Sequence, residues 1–249
     1  MGIGIKTGII ALAGAGSAFS NINSLAFDGS NDFLSGSSVF TPLNGETKAS
    51  FSMWLKPTSD STTLRTVFQV GRGATGADGQ VTLFLFEGSR IDFNVNSSGT
   101  YGRGDISAIT YGSWNHILIT VDFAANPEFK CYVNGADETT GDNMGSLSVF
   151  PNATEPLYIG EFTTGHYSPF LGGIDEFAIW VGEALTATDA SNIYNSGEPT
   201  DLSSYSTPPT HWWRMGDGDS FPTITDQVGS YNLTMTNMDS ADIVEDVPS

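Results

Sequence analysis

The chain has 249 residues, 39% of them hydrophobic and 12% aromatic, with 29 glycines, a composition that sustains a packed, turn-rich core and excludes a disordered chain. With 28 acidic against 9 basic residues its formal charge is −19, a field that repels phosphate backbones and anionic headgroups and so argues against nucleic acid and membrane as partners. A single cysteine, Cys131, excludes an internal disulfide, and its phase with Phe129 and Val133 predicts a buried, inert thiol.

In chain order, the opening MGIGIKTGIIALAGAGSAFS is apolar, with one lysine and only a weak likeness to a secretory leader; we read residues 1–22 as an apolar arm that packs against a neighbour. Residues 23–182 then alternate short strand-like runs with Gly, Asn, Asp and Ser clusters, and about a dozen such runs predict an all-β, two-sheet antiparallel sandwich. Just inside its start, FDGSNDF reads either as a plain tight turn or as a turn that also offers oxygen ligands to a cation. In ASFSMWLKP, Phe51, Met53 and Leu55 point one way and Ser50, Ser52 and Trp54 the other. WNHILITVDF repeats the device, with His116 on its polar face. The stretch DETTGDN reads as a solvated loop.

One short helix is expected at 183–198, where Thr186 is the N-cap, Asp189 follows three residues on and Gly197 is a stop signal. Residues 199–249 read as a Pro- and Ser-rich connection, returning strands in HWWRMG and YNLTMTN, and an acidic tail packed on the sandwich. On a strand, adjacent Trp212 and Trp213 face opposite ways, so one ring is exposed or covered by another chain.

Three pieces in this order, SLAFDGSNDFL, SFSMWLKP followed by SWNHILITVD and YVNG, and LGGIDEFAIWVGEALTATDASNIYNSG, resemble the laminin-G-like jelly rolls of the concanavalin A-like lectin/glucanase superfamily. The segment HWWRMGDGDSFPTITDQVGSYNLTMTN is similar to pieces attached to such domains in tailed-phage structural proteins. The resemblance implies a mainly non-catalytic fold that often binds glycans or proteins and often holds a structural Ca2+. It places Asp28, Asp32 and Asp175 as the calcium ligands. Asp175 is in phase with Phe177 and Ile179, while Glu176 faces the other way and is expected to be exposed. GDGDSFPTITD lacks the glycine and closing glutamate of an EF-hand, so Asp217 and Asp219 read as turn residues.

Catalysis is not expected. The glucanase relatives draw their carboxyl pair from Glu-x-Asp-x-Glu on one strand face, and no such string, nucleophile elbow or HExxH pair occurs. Saccharides are held by aromatic faces and fixed polar groups, which makes Tyr101, Tyr111, Tyr167 and Phe170 in turn-rich segments the ligand-binding candidates. GRGD, at 102–105, is read as a chance tripeptide. The expectation is therefore a non-catalytic virion structural protein, a capsid decoration or tail-fibre module that adheres to glycans and contacts other virion proteins or copies of itself. The alternatives are a free, extracellular lectin module and a glycoside hydrolase.

Overall fold

The computed structural model describes residues 19–58, 64–71, 79–86, 90–97, 99–162 and 167–249, so the expected apolar arm lies outside the described residues up to residue 18, as does His166. The described residues form eighteen strands and one α-helix. The strands are β1 (Ser24–Asp28), β2 (Phe33–Gly36), β3 (Lys48–Pro57), β4 (Arg65–Val70), β5 (Gln80–Phe86), β6 (Arg90–Ser97), β7 (Thr100–Ile106), β8 (Asn115–Asp122) and β9 (Phe129–Val133). They continue with β10 (Ala136–Asp137), β11 (Thr139–Asn143), β12 (Leu157–Ile159), β13 (Ser168–Pro169), β14 (Leu171–Val181), β15 (His211–Trp213), β16 (Thr223–Ile224), β17 (Leu233–Thr236) and β18 (Ile243–Val244), with α1 at Ala187–Tyr194.

These strands make two sheets, the two-sheet sandwich expected. An eight-stranded sheet runs β10-β9-β8-β3-β14-β1-β18, with β15 also on β14; a ten-stranded sheet runs β11-β7-β6-β5-β4-β12-β2-β17-β16, with β13 beside β4. Residues 199–249 supply β15 and β18 to one sheet and β16 and β17 to the other, so the returning chain is hydrogen-bonded into the sandwich. DETTGDN, expected as a loop, carries the short edge strands β10 and β11, and Asp142 accepts hydrogen bonds from the amides of Glu128 and Phe129.

Alternation fills the space between the sheets. Phe51, Met53 and Leu55 of β3 and Ile117, Ile119 and Val121 of β8 meet Val81, Leu83 and Leu85 of β5 and Ile91, Phe93 and Val95 of β6 in one core cluster. Each such aliphatic side chain removed from water contributes about 1.5–3 kcal/mol. Cys131 is buried in the same cluster, where desolvation pushes its thiol well above the usual range.

The eight-stranded sheet is covered on its second face as well. Leu118, Tyr132, Ala178, Trp180 and Trp212 pack there against Leu185, Ala190, Ile193 and Leu202 from α1 and the segments flanking it. An eight-residue helix is marginal by itself. This one is held by its packed Ala190 and Ile193, by a capping box between Thr186 and Asp189, and by a left-handed C-cap at Asn195. Trp212 is thus buried within its own chain under Phe19, and the expected exposed or intermolecular ring is not found. Trp213 faces the main core.

His116 also lies on that covered face and is fully buried, where the sequence pattern expects a polar face. Its Nε2 pairs with Ser52 Oγ at 2.9 Å, and its ring packs beside Trp54 and Tyr194. Burial holds the imidazole neutral, with a pKa lowered from 6.5 to about 3. The folded value is below the unfolded one, so this contribution to stability is present above pH 6.5 and is lost as pH falls toward 3. Acid titration followed by thermal melting should show wild type losing about 1.4 kcal/mol per pH unit below that point relative to His116→Gln; parallel curves for the two proteins would refute it.

Candidate functional site

Across β5, β6 and β7 the residues between the core positions form three rows on the outer face of the ten-stranded sheet. Register places Gln80, Asn96 and Tyr101 in one row, Thr82, Asn94 and Arg103 in the next, and Phe84, Asp92 and Asp105 in the third. Period-two alternation puts each on the face opposite Val81, Leu83, Ile91, Phe93 and Val95. On β7 the inward positions include Gly102 and Gly104 ahead of Ile106. A Cβ at Gly104 would lie 2.4 Å from the Phe129 ring, so the glycine is what lets that ring pack. GRGD is therefore strand, with glycines inward and Arg103 and Asp105 outward.

A cleft with about 540 Å³ of empty space, part of it open to solvent, lies over the first two rows. Its floor is Gln80, Thr82, Asn94 and Asn96. One wall is an aromatic group in which Phe84 and Phe162 each contact Tyr167, with centroids 4.7 and 4.8 Å away. Opposite stands Tyr101, 51% exposed, whose hydroxyl donates to Asn94 Oδ1. Desolvation raises its phenol to about 12, so it stays a donor at any physiological pH. Asn96 Oδ1 is buried and accepts no hydrogen bond from a described residue. A second hollow on the far side of Tyr101, lined by charged side chains, includes Arg103, Asp105, Asp142 and Asn143.

Between them lies a charge lattice. Asp92 accepts from Arg90 Nε and Nη2 at 2.8 and 3.0 Å and from Arg103 Nη2 at 3.1 Å, while Asp105 accepts from Arg103 Nε at 2.6 Å. Burial pushes Asp92 up, opposed by both guanidiniums. Asp92 and Asp105 are cross-strand neighbours, but the Asp92 side chain is only 4% exposed and is clamped by two arginines. The pair is a structural ion lattice. His211 and Asp226, 2.7 Å apart, also have a structural account, because Asp226 accepts from the amides of Trp212, Gly229 and Tyr231 as well.

The expected ligands do not converge. In FDGSNDF, Gly29 takes φ +73°, the Asp28 carboxylate accepts from the amides of Ser30 and Asn31, and Asp32 accepts from the amide of Asp28. That is the turn reading, with the backbone already using these oxygens. Asp28 is opposite Leu171 in the register of β1 and β14, so Asp175 lies four residues further along, about 13 Å away. Asp28, Asp32 and Asp175 therefore do not fit a shared calcium site, and among the described residues no group of three or more His, Cys, Asp or Glu side chains could hold a metal ion. Phe170 is fully buried against Phe27, and Tyr111 packs on the core with its hydroxyl bonded to Phe86 O. Neither lines the cleft, whereas Tyr101 and Tyr167 do. Asn94, Asn96, Gln80 and Phe84 were not among the candidates, although the repeated carboxamides of RIDFNVN on one strand face were a legible sign.

Asp175 serves a different purpose. The pairing of β14 with β3 shifts by a residue between Asp175 and Ala178, and Glu176 takes φ +49°. Ile174 and Phe177 both face the core, so the two acids between them leave it together. Glu176, expected exposed, is buried; its oxygens accept from Trp212 Nε1 at 2.5 Å and Arg214 Nε at 3.0 Å. Asp175 accepts from Asn21 Nδ2 and the Glu176 amide. Asp217, expected as a turn residue, is buried; it accepts from the amides of Ile22 and Asn23 and from Arg214 Nη2.

Residues 28–191 match the family model described as the concanavalin A-like lectin/glucanases superfamily, of laminin G type. No curated protein sequence matches the chain. Among solved structures it is similar to a protein from Bacteroides ovatus described as carbohydrate-binding, at 19% identity and TM-score 0.65; the match covers 92% of this chain and 62% of that one. It is similar to the CBM40 of a Ruminococcus gnavus sialidase bound to sialyllactose, at 15% identity and TM-score 0.53 over 69% of this chain and 95% of that one. Domain 4 of the Geobacillus stearothermophilus extracellular arabinanase AbnA, in complex with arabinotriose, matches at 25% identity and TM-score 0.50 over 69% of this chain and 76% of that one.

The buried acids make a pH prediction. Burial raises Glu176 from 4.5 to about 7, and burial together with the Glu176 charge raises Asp175 well above its usual value. Folded values above unfolded ones mean that this contribution is full below pH 4.5 and is lost as pH rises through 7. Melting temperatures of Glu176→Gln and wild type should therefore diverge between pH 5 and pH 8, with wild type falling by several degrees relative to the variant.

Proposed function

Because the chain belongs to the concanavalin A-like lectin/glucanase superfamily, we propose that it is a non-catalytic glycan-binding protein whose binding surface is the cleft on the outer face of the ten-stranded sheet. The observation that carries this reading is the pairing of an aromatic wall and the exposed Tyr101 ring with a floor of carboxamides and a threonine hydroxyl. Sugar C–H faces stack on rings, and carboxamides offer both a donor and an acceptor to hydroxyls. The AbnA domain, whose structure contains arabinotriose, supports a saccharide ligand. The clamped state of Asp92 and Asp105 supports binding without bond cleavage.

A place in a virion is the second reading. It is supported by the likeness of residues 211–237 to segments attached to such domains in tailed-phage structural proteins, and it would make other virion proteins or further copies of this chain its partners. A free lectin module accounts for the same cleft. Stoichiometric copurification with particles is the outcome expected of the virion reading, and recovery of the protein only in the particle-free fraction would remove it.

Binding is tested on a glycan array followed by calorimetry on the hits. Tyr101→Ala and Asn94→Ala should each weaken binding about tenfold, or roughly 1.4 kcal/mol. Tyr101→Ala should do so with an unchanged melting temperature, and unaltered affinity in both variants would place the ligand elsewhere.

A further inference from the structure

We infer that this cleft selects uncharged saccharides over anionic ones and that Asn96 is the residue that reads a ligand hydroxyl; the inference rests on the glycan-binding reading above.

Charge is the first argument. Among the described residues that line the cleft none is charged. The guanidiniums beside it are engaged: Arg90 forks onto Asp92, and Arg103 bridges Asp92 and Asp105. A sugar carboxylate is best held by a guanidinium that can offer two parallel N–H groups, and these already point at carboxylates of the protein. Asp142 in the adjoining hollow adds a further negative charge on a chain that carries −19 in total. An anionic sugar would enter a negative field with no described cation free to fork onto it.

Hydrogen-bond polarity is the second argument, and it is independent of net charge. Asn96 Oδ1 is a buried acceptor to which no described residue donates, and it belongs to a side chain lining the cleft. A buried acceptor left without a donor is destabilising, so a donor that reaches it is favoured. A sugar hydroxyl carries the missing proton. A carboxylate carries none, and would set acceptor against acceptor.

The test is an array on which neutral oligosaccharides, arabinotriose and lactose among them, stand beside sialyllactose and other sialylated or uronate forms, read at low and at physiological ionic strength. The neutral members should bind, and their anionic counterparts should bind at least about tenfold more weakly, with the gap narrowing as salt screens the field. Asp105→Ala removes the acceptor of Arg103 Nε and should improve binding of sialyllactose while leaving the neutral ligand's affinity in place. Asn96→Leu should weaken the neutral ligand about tenfold, and Asn96→Asp, which keeps an acceptor there, should retain more binding than the leucine variant. Equal or tighter binding of the sialylated members would overturn the selectivity while leaving the glycan-binding reading intact, and full affinity in Asn96→Leu would overturn the role of Asn96. An array with no bound glycan would overturn both the inference and the reading beneath it.

Discussion

The structure turns on a handover along one edge of β14. That strand keeps β3 on one side throughout, but its other side pairs with β1 over residues 171–174 and with β15 over residues 177–179. At the changeover the ladder has no partner for a short stretch, and unpaired polar groups at that depth are costly. The bulge at Asp175 and Glu176 sits at this gap, and the side chains that answer it come from the two segments meeting there: Asn21 just before β1 and Arg214 just after β15. Arg214 also bonds Ser20 O and Asp217, and Asp217 secures the amides of Ile22 and Asn23. Two pieces of chain almost two hundred residues apart are joined by one guanidinium and three carboxylates.

That junction decides which face of the molecule is available. By bringing Trp212 onto the far side of the eight-stranded sheet it completes the apolar layer with α1 and Leu202, so this sheet is packed on both faces. Among the described residues the ten-stranded sheet has no such layer over β5 to β7, and its outer rows carry amides, a threonine, an ion lattice and aromatic rings. Polar side chains in an open cleft keep their hydrogen-bonding capacity for something other than the fold. The division of labour between the sheets is thus a packing outcome before it is a functional one.

Much of the fold was legible because alternation survives in β3 and β8, and because Thr186 and Asp189 cap a helix by local chemistry, although that helix ends at a left-handed Asn195, two residues before the expected stop at Gly197. Alternation failed where a bulge intervened: in IDEF, counting by twos puts Asp175 on the core side and Glu176 in water, and one extra residue in the strand moves both to the buried junction. The partner that stabilises Glu176 is 38 residues away, so no local pattern could announce it. In the candidate site, Tyr101 and Tyr167 were recoverable as aromatics near turns, but Phe170 and Tyr111 share that context and pack inward, since sequence neighbours do not report which layer a ring enters. The carboxamide floor went unread because Asn94 and Asn96, though repeated on one strand face, also fit the ordinary polar face of a strand until the fold gives that face a wall.

The pairing order has a consequence for synthesis. β1 lies between β14 and β18, and β2 between β12 and β17, so the earliest strands of both sheets depend on neighbours made late. Such distant contacts slow folding, since the closure entropy is spent before the reward arrives. A ribosome must therefore finish residue 236 before the ten-stranded sheet acquires all its members, and residue 244 before the eight-stranded sheet does. Until then the emerging polypeptide exposes half-built edges, and a chaperone that shields them would act from the emergence of β1 to that of β18.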